Sequence, residues 1–192
     1  MKRLGAIVAG VLLGASTASA ELSVSYDQQL THNGQVTQQH VIVQGDRFRM
    51  ESNVQGTNTV MIRNQDGVFS YMPDTGMGMK LTGVDASQEP VAGEYLSYLN
   101  EQHAQKLREE TVQGRVCDVY QYSDKGKSTT AWVWREKQFP VKFEMQGPDG
   151  QMLAELSNIQ FGVPAPASAF TLPANVQMMD MGGFDFQKML GQ

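Results

Sequence analysis

The chain has 192 residues, of which 41% are hydrophobic, and its formal net charge at pH 7 is −5. An acidic chain is a poor partner for nucleic acid or for an anionic membrane surface, so we expect neither. The single cysteine, Cys117, excludes a scaffold held together by internal disulfides. Because Cys117 lies in an apolar run, we predict a buried and unreactive thiol.

The first 20 residues have the three parts of a secretory signal peptide. Lys2 and Arg3 precede an apolar run over 4–13, and an Ala-Ser-Ala site follows at 18–20. The apolar run is too short to anchor a protein across a bilayer. We therefore expect export to the periplasm, cleavage after about Ala20, and no permanent membrane anchor.

Short strand-like segments separated by turn residues follow from residue 22 to residue 81. Asn33-Gly34 is a strong signal for a tight hairpin. This rhythm predicts an antiparallel sheet in which consecutive strands pair. Two of the segments, 59–63 and 68–72, carry apolar residues in succession rather than in alternation. Such strands are filled on both faces, and both faces then need cover.

The best helix signal lies over residues 87–102. Ser87 is a plausible cap, and Pro90 suits the first turn of a helix. The apolar residues of this segment fall on one stripe at helical spacing, so the helix is expected to cover one face of the sheet. The stripe consists of Val91, Tyr95, Leu96 and Leu99.

A tryptophan-containing strand is predicted over residues 129–135. Trp132 and Trp134 point to one side of this strand, and Val133 points to the other. The next run, 140–146, alternates apolar and polar residues, which indicates one wet face. The tryptophan strand has no wet face, so it also needs cover on both sides.

The C-terminal part is rich in proline, methionine and glycine. Prolines at 164, 166 and 173 prevent any long regular element. We therefore predict three parts of the chain: a signal peptide over 1–20, one β domain over 21–176, and a flexible Met/Gly-rich tail over 177–192.

Six short motifs occur in order along the chain: GDRFR (45–49), DGVFSY (66–71), FPVKFE (139–144), PDGQ (148–151), NIQFGVP (158–164) and FTLP (170–173). Their order and spacing resemble those of the periplasmic lipoprotein-carrier superfamily, over about residues 22–178. That superfamily includes LolA/LolB-like carriers and the N-terminal domain of a sigma-factor regulator. No residue here matches the carriers' functional arginine, and neither Arg47 nor Arg49 is given that role.

The resemblance implies a mainly β (α+β) fold, in which a curved antiparallel sheet forms an unclosed half-barrel covered by one or more helices. In the carriers, the concave side of this sheet receives acyl chains. The strands that are apolar on both faces fit such an arrangement independently. A shared fold by itself does not name a cargo.

No catalytic constellation can be recognised in the sequence. His32, His40 and His103 show no metal-ligand spacing, and neither GxSxG nor GxGxxG occurs. The adjacent carboxylates Glu109 and Glu110 would face opposite sides of a strand. We therefore expect no enzyme activity, no catalytic or metal-binding residues, and no cofactor.

The methionines suggest a less favoured alternative, a copper-binding protein. The chain has 12 methionines, with clusters at 77–79 and 178–181. Thioether sulfur suits Cu(I). Neither cluster has a histidine or cysteine beside it, so methionine as an adaptable apolar filler is the preferred interpretation.

The preferred functional hypothesis is a non-enzymatic periplasmic protein that binds or carries a lipid, a lipidated protein or another apolar ligand in the concave face. The alternative is a protein-interaction or envelope-stress module whose cavity is filled by side chains. The candidate ligand-binding residues are the large apolar side chains of the central strands and the helix. They are Phe48, Met50, Met61, Phe69, Tyr71, Leu96, Leu99, Trp132, Trp134, Phe143 and Met145.

Overall fold

The computed structural model describes residues 23–54, 56–81, 95–124 and 126–179. Its helical elements are α1 (Tyr95–Glu101) and a 3₁₀ turn (Ala167–Phe170). The strands are β1 Ser23–His32, β2 Gln35–Gln44, β3 Arg47–Val54, β4 Thr57–Asn64, β5 Gly67–Met72, β6 Met77–Leu81, β7 Gln105–Val112, β8 Arg115–Asp124, β9 Lys127–Trp134, β10 Phe139–Gly147, β11 Gly150–Phe161 and β12 Gln177–Met179. No helix in these ranges is long and apolar enough to cross a membrane.

All twelve strands belong to one sheet, in the order β12-β6-β5-β4-β3-β2-β1-β11-β10-β9-β8-β7. Every neighbouring pair is antiparallel except β12 and β6, which are parallel. The end strands β12 and β7 do not pair with each other, so the sheet stays open. The predicted mainly β fold with an unclosed half-barrel is confirmed.

The hairpin turns follow the local sequence. At the β1–β2 turn, Asn33 and Gly34 both have positive φ, 49° and 82°, as a two-residue type I′ turn requires. Gln113 and Gly114 repeat this pattern between β7 and β8, with φ of 49° and 77°. Both turns occur where Gly in a short polar segment predicts them.

The helix α1 packs against one face of β9, which we call the inner face of the sheet. Tyr95 and Leu99 are buried there against Ala131 and Val133. Trp132 lies on the opposite, outer face, in a cluster with the buried Cys117. The tryptophan strand is therefore covered on both sides, as its sequence predicts. Burial raises the pKa of the Cys117 thiol, which fits an unreactive side chain.

The predicted helix over 87–102 is shorter in the described residues, where α1 covers Tyr95–Glu101. Its end is marked by His103, which has a positive φ of 52°. The amide of Ala104 donates to the carbonyl of Leu99 at 2.8 Å and closes the last turn. The predicted cap and first turn, 87–94, lie outside the described residues.

A proline-containing segment over residues 163–176, rather than the helix, covers the outer face of β2–β5. Phe170 is buried in a cluster with Ile62 and Tyr71. Arg49 Nη1 donates to the carbonyl of Ala169 at 3.0 Å and ties the segment to β3. This segment is the second cover that the apolar succession in β4 and β5 requires.

The predicted flexible tail begins differently in the structure. Residues Gln177–Met179 form β12 and pair in parallel with Met77–Met79 of β6. The amide of Gln177 donates to the carbonyl of Gly76 at 2.7 Å and begins this pairing. These three residues therefore form a strand rather than the predicted flexible tail. Residues 180–192 lie outside the described part of the chain.

The substitution Gly78→Ala is expected to lower the free energy of unfolding by about 1–3 kcal/mol, because it overpacks the β6–β12 contact. An added Cβ would lie 2.7 Å from Val176 Cγ1 and 3.0 Å from Tyr71 Cβ. Chemical denaturation measures the effect, and Gly147→Ala is the matched control. At Gly147 the three nearest atoms to the added Cβ all belong to Lys127, with Cγ at 2.9 Å, so a rotamer change of that one side chain relieves the contact and a smaller loss is expected. Equal losses for the two variants would contradict this packing.

Candidate functional site

The structure divides the candidate ligand-binding residues between the two faces of the sheet. Strand register and packing assign each of them to one face. The inner face holds Phe48, Met50, Met61, Leu96, Leu99, Phe143 and Met145. The outer face holds Phe69, Tyr71, Trp132 and Trp134. The outer residues have other partners, so the eleven residues do not line one common surface.

A mostly apolar row of residues crosses the inner face from the core to the edge of the sheet. Val41 pairs with Met50, Met50 with Met61, Met61 with Ser70, Ser70 with Met79, and Met79 with Met179. We call these residues, from Val41 to Met179, the inner row. The exposed fraction is 0% at Val41 and 7% at Met50, and it reaches 38% at Met179. The inner face is therefore closed near β2 and opens toward β6.

Aromatic side chains fill the inner face at the opposite end of the sheet. The Tyr95 ring meets the Phe143 ring edge to face, with centroids 5.8 Å apart. The Tyr98 ring meets the Tyr122 ring in the same way at 5.9 Å. Burial raises the pKa of Tyr95 well above its ordinary value. Contacts between α1 and the sheet thus close this end.

The aromatic lining contains residues that the candidate prediction missed. Tyr98 on α1 and Tyr120 and Tyr122 on β8 pack around the buried Tyr95. The spacing of these tyrosines could have indicated an aromatic lining, because Tyr95 and Tyr98 are one helical turn apart and Tyr120 and Tyr122 share one strand face.

One polar atom is buried at the closed end of the inner row. Gln39 pairs with Gln28 between β2 and β1, on the same strand face as Val41. Its Oε1 atom is buried and has no hydrogen-bond partner among the described residues. A buried acceptor without a donor costs free energy, about 1–3 kcal/mol. A donor group on a ligand, or a water molecule, would satisfy it.

The outer face carries a polar groove of about 730 Å³. His40 Nδ1 lies 2.6 Å from Asp27 Oδ1, and Asn158 Nδ2 donates to Asp27 Oδ2 at 2.7 Å. Two hydrogen bonds lower the pKa of Asp27. The one from Asn158 has the larger effect, and the one with His40 has the smaller effect. Glu51, Asn53 and Asn58 also line the groove, so it is unsuited to an apolar ligand.

Charged side chains cluster at the β7 edge of the sheet. Arg135 pairs with Glu109 and Asp118, and the hydrogen bond from Arg135 lowers the pKa of Asp118. Glu110 accepts a hydrogen bond from Trp132 Nε1 on the outer face. The two adjacent glutamates therefore face opposite sides, as predicted. Charges on an edge strand also discourage pairing with another chain.

The three histidines lie apart, in β1, in β2 and directly after α1. Within the described ranges, no group of three His, Cys, Asp or Glu residues is placed to hold a metal ion. Asp27 and His40 form an exposed hydrogen bond, and Arg135 and Glu109 form an exposed ion pair; neither lies in an enclosed site.

Solved structures with the same fold include chains of the MucB system. One chain of the complex structure of Pseudomonas aeruginosa MucA/MucB superposes with a TM-score of 0.55 at 15% identity, over 83% of this chain and 59% of that chain. A crystal structure of MucB gives a TM-score of 0.53 at 14% identity, over 82% of this chain and 60% of that chain. The present chain thus spans about three fifths of those chains and shares their fold.

A LolA superfamily protein from Nitrosomonas europaea is also a structural neighbour, with a TM-score of 0.36 at 12% identity, over 79% of this chain and 90% of that chain. The fold assignment itself rests on the MucB superpositions. No protein-family model and no curated protein sequence matches this chain.

Proposed function

We propose that this chain is a non-enzymatic, exported periplasmic protein that binds the acyl chain of a lipid or lipidated protein on the inner face of β3–β6. The observation that carries the proposal is the inner row. Its side chains are apolar except for Ser70, they change from buried to exposed along one continuous face, and α1 lies at the other end of the sheet.

The chemistry of the row suits an acyl chain. Methionine is unbranched and polarizable, and it adapts to irregular apolar shapes. Burying a twelve-carbon chain supplies about 10 kcal/mol at ~0.8 kcal/mol per CH₂, so few polar contacts are needed.

The substitution Met61→Glu is expected to weaken binding of dodecanoic acid by about tenfold or more, because a carboxylate would stand in the middle of the inner row. Met61 is half-buried between Met50 and Ser70. Displacement of a fluorescent fatty-acid probe measures the affinity. A second variant, Met79→Glu, tests the same face nearer its edge.

The matched control is Val36→Glu on the outer face, where Val36 is 53% exposed. This control adds the same charge and should leave the affinity unchanged. Thermal melting of all three variants separates misfolding from loss of the site. Unchanged fatty-acid affinity in folded Met61→Glu and Met79→Glu would contradict the proposed site.

A protein partner is the second candidate function. The observation that favours it is the fold shared with a protein solved in complex with MucA(peri), with a TM-score of 0.53. In this alternative, the inner face holds side chains of a partner in place of an acyl chain. Wild-type protein that takes up no fatty acid but captures a periplasmic polypeptide through Met61 would favour this alternative.

A further inference from the structure

The parallel pairing of β12 with β6 brings together two methionine clusters that are far apart in the sequence. Met79 of the first cluster pairs directly with Met179 of the second. The hairpin between β5 and β6 adds another direct pair, Met72 with Met77. The contact between the two clusters cannot be seen from the sequence, where about a hundred residues separate them and neither has a histidine or cysteine beside it.

Four of these methionines lie on one face of the sheet. Met77 and Met79 are two residues apart on β6 and therefore point to the same side, and their partners Met72 and Met179 share that side. Neighbouring strands are about 4.8 Å apart, which a flexible methionine side chain spans easily. We call Met72, Met77, Met79 and Met179 the thioether cluster.

Met178, the neighbour of Met179 on β12, shows that the clustering is confined to the inner face. Met178 pairs with Gly78 and points to the outer side, where its Sδ lies 3.1 Å from the position of a Cβ on Gly78. Met178 is therefore packed over the outer surface of β6. It does not belong to the thioether cluster, although it is adjacent to Met179 in sequence.

The cluster is open to solvent. Met77 is 39% exposed and Met179 is 38% exposed, whereas Met72 and Met79 are half-buried. Methionines that only filled a core would be buried like Met50. Four thioethers at an accessible edge form a set of soft, neutral ligands.

We propose that the thioether cluster binds a soft monovalent cation, Cu(I). Thioether ligands select Cu(I) over hard or borderline cations, which prefer oxygen or imidazole. No site built from three His, Cys, Asp or Glu residues competes for the metal within the described ranges. Two of its ligands, Met79 and Met179, also belong to the inner row, so the Cu(I) site lies at the open end of the proposed acyl site. Cu(I) binding is therefore measured on protein without added fatty acid.

The test is a titration of the mature protein with Cu(I) under anaerobic conditions, against a chromophoric Cu(I) chelator. We expect a single Cu(I) per chain, a sulfur-only ligand environment in X-ray absorption, and displacement by Ag(I) but not by Zn²⁺. The double variant Met79→Leu/Met179→Leu should bind Cu(I) about tenfold or more weakly. Leucine preserves side-chain volume, so the fold should be retained.

The control is Met145→Leu/Met152→Leu. These two methionines also form a direct cross-strand pair on the inner face, but between β10 and β11, far along the sheet from β6. The control should keep the wild-type Cu(I) affinity, and thermal melting should show that both double variants are folded. Failure of the wild-type protein to compete with the chelator would overturn the proposal, as would equal Cu(I) affinity in the two double variants. Because leucine keeps the inner row apolar, Met79→Leu/Met179→Leu should lose Cu(I) affinity and keep the wild-type affinity for dodecanoic acid, which distinguishes failure of the Cu(I) site from failure of the acyl site.

Discussion

Replacing Trp132 by alanine is expected to lower the free energy of unfolding by about 3–5 kcal/mol. The side chain is 4% exposed and packs with Cys117, Val119 and Val141 on the outer face. Its removal leaves a cavity where surrounding strands are held by β-ladder hydrogen bonds and cannot close in.

Two polar contacts add to the cost of this substitution. Trp132 Nε1 donates to Glu110, and Lys142 Nζ lies 4.3 Å from the centroid of the ring. Alanine removes both the hydrogen bond and the cation–π contact. These interactions make Trp132 a structural link between β7, β9 and β10 on the outer face, away from the inner row.

Urea denaturation of Trp132→Ala and Trp134→Ala measures the loss in the free energy of unfolding for each variant. Trp134 is only half-buried, with the Arg115 guanidinium 5.2 Å from its ring, so a smaller loss is expected. Because Trp132 lies on the outer face, fatty-acid affinity should not change in the folded fraction. Wild-type-like unfolding of Trp132→Ala, together with altered lipid binding, would instead make this tryptophan part of a ligand site.

Phe139→Ala is the second substitution with a large expected effect, also about 3–5 kcal/mol. Phe139 is buried where the inner-face core meets the end of β11. Its ring makes edge contacts with Tyr26 at 5.8 Å and with Phe161 at 5.3 Å. Aromatic contacts of this kind add about 0.5–1.5 kcal/mol beyond buried area.

The comparison variant for Phe139 is Phe161→Ala, since Phe161 is half-buried and belongs to the same aromatic group. In calorimetry, the melting temperature of Phe139→Ala should be well below that of Phe161→Ala, and that of Phe161→Ala should be below that of the wild type. A near-native melting temperature for Phe139→Ala would mean that this end of the inner face is loosely packed. The closed end of the inner row, where Val41 and Met50 are buried in the same cluster as Phe139, would then lack its support.

The sequence predicted the features of the fold that depend on neighbouring residues. Asn33-Gly34 marked a tight hairpin because both positions need positive φ. The succession of apolar residues around Trp132 predicted cover on both faces, since alternate side chains of a strand point to opposite sides. Antiparallel pairing of consecutive strands followed from the short turns between them.

Features that depend on distant residues were not predictable from local patterns. The pairing of β1 with β11 and of β6 with β12 joins opposite ends of the chain. The segment over 163–176 reads as a loop because of its prolines, yet Phe170 is buried on β4 and β5. Burial of a loop side chain is a tertiary effect, and it leaves no periodic signal.

The candidate site was only partly predictable for a related reason. A strand with two apolar faces does not show which face is the inner one, so Trp132 and Phe143 entered one candidate group although they face opposite sides. Register shifts between Ser25 and Asp27, and between Pro140 and Lys142, also change the alternation between neighbouring strands. The period of two in sequence therefore cannot be carried across the sheet.

Native mass spectrometry of the mature protein, purified gently from the periplasm and followed by organic extraction, tests the central proposal most directly. The acyl-binding account predicts a bound mass that extracts as a lipid and is lost in folded Met61→Glu but kept in Val36→Glu. A clean unliganded mass, together with no uptake of added dodecanoic acid or lipopeptide, would contradict it. That result would favour the second candidate, a protein partner.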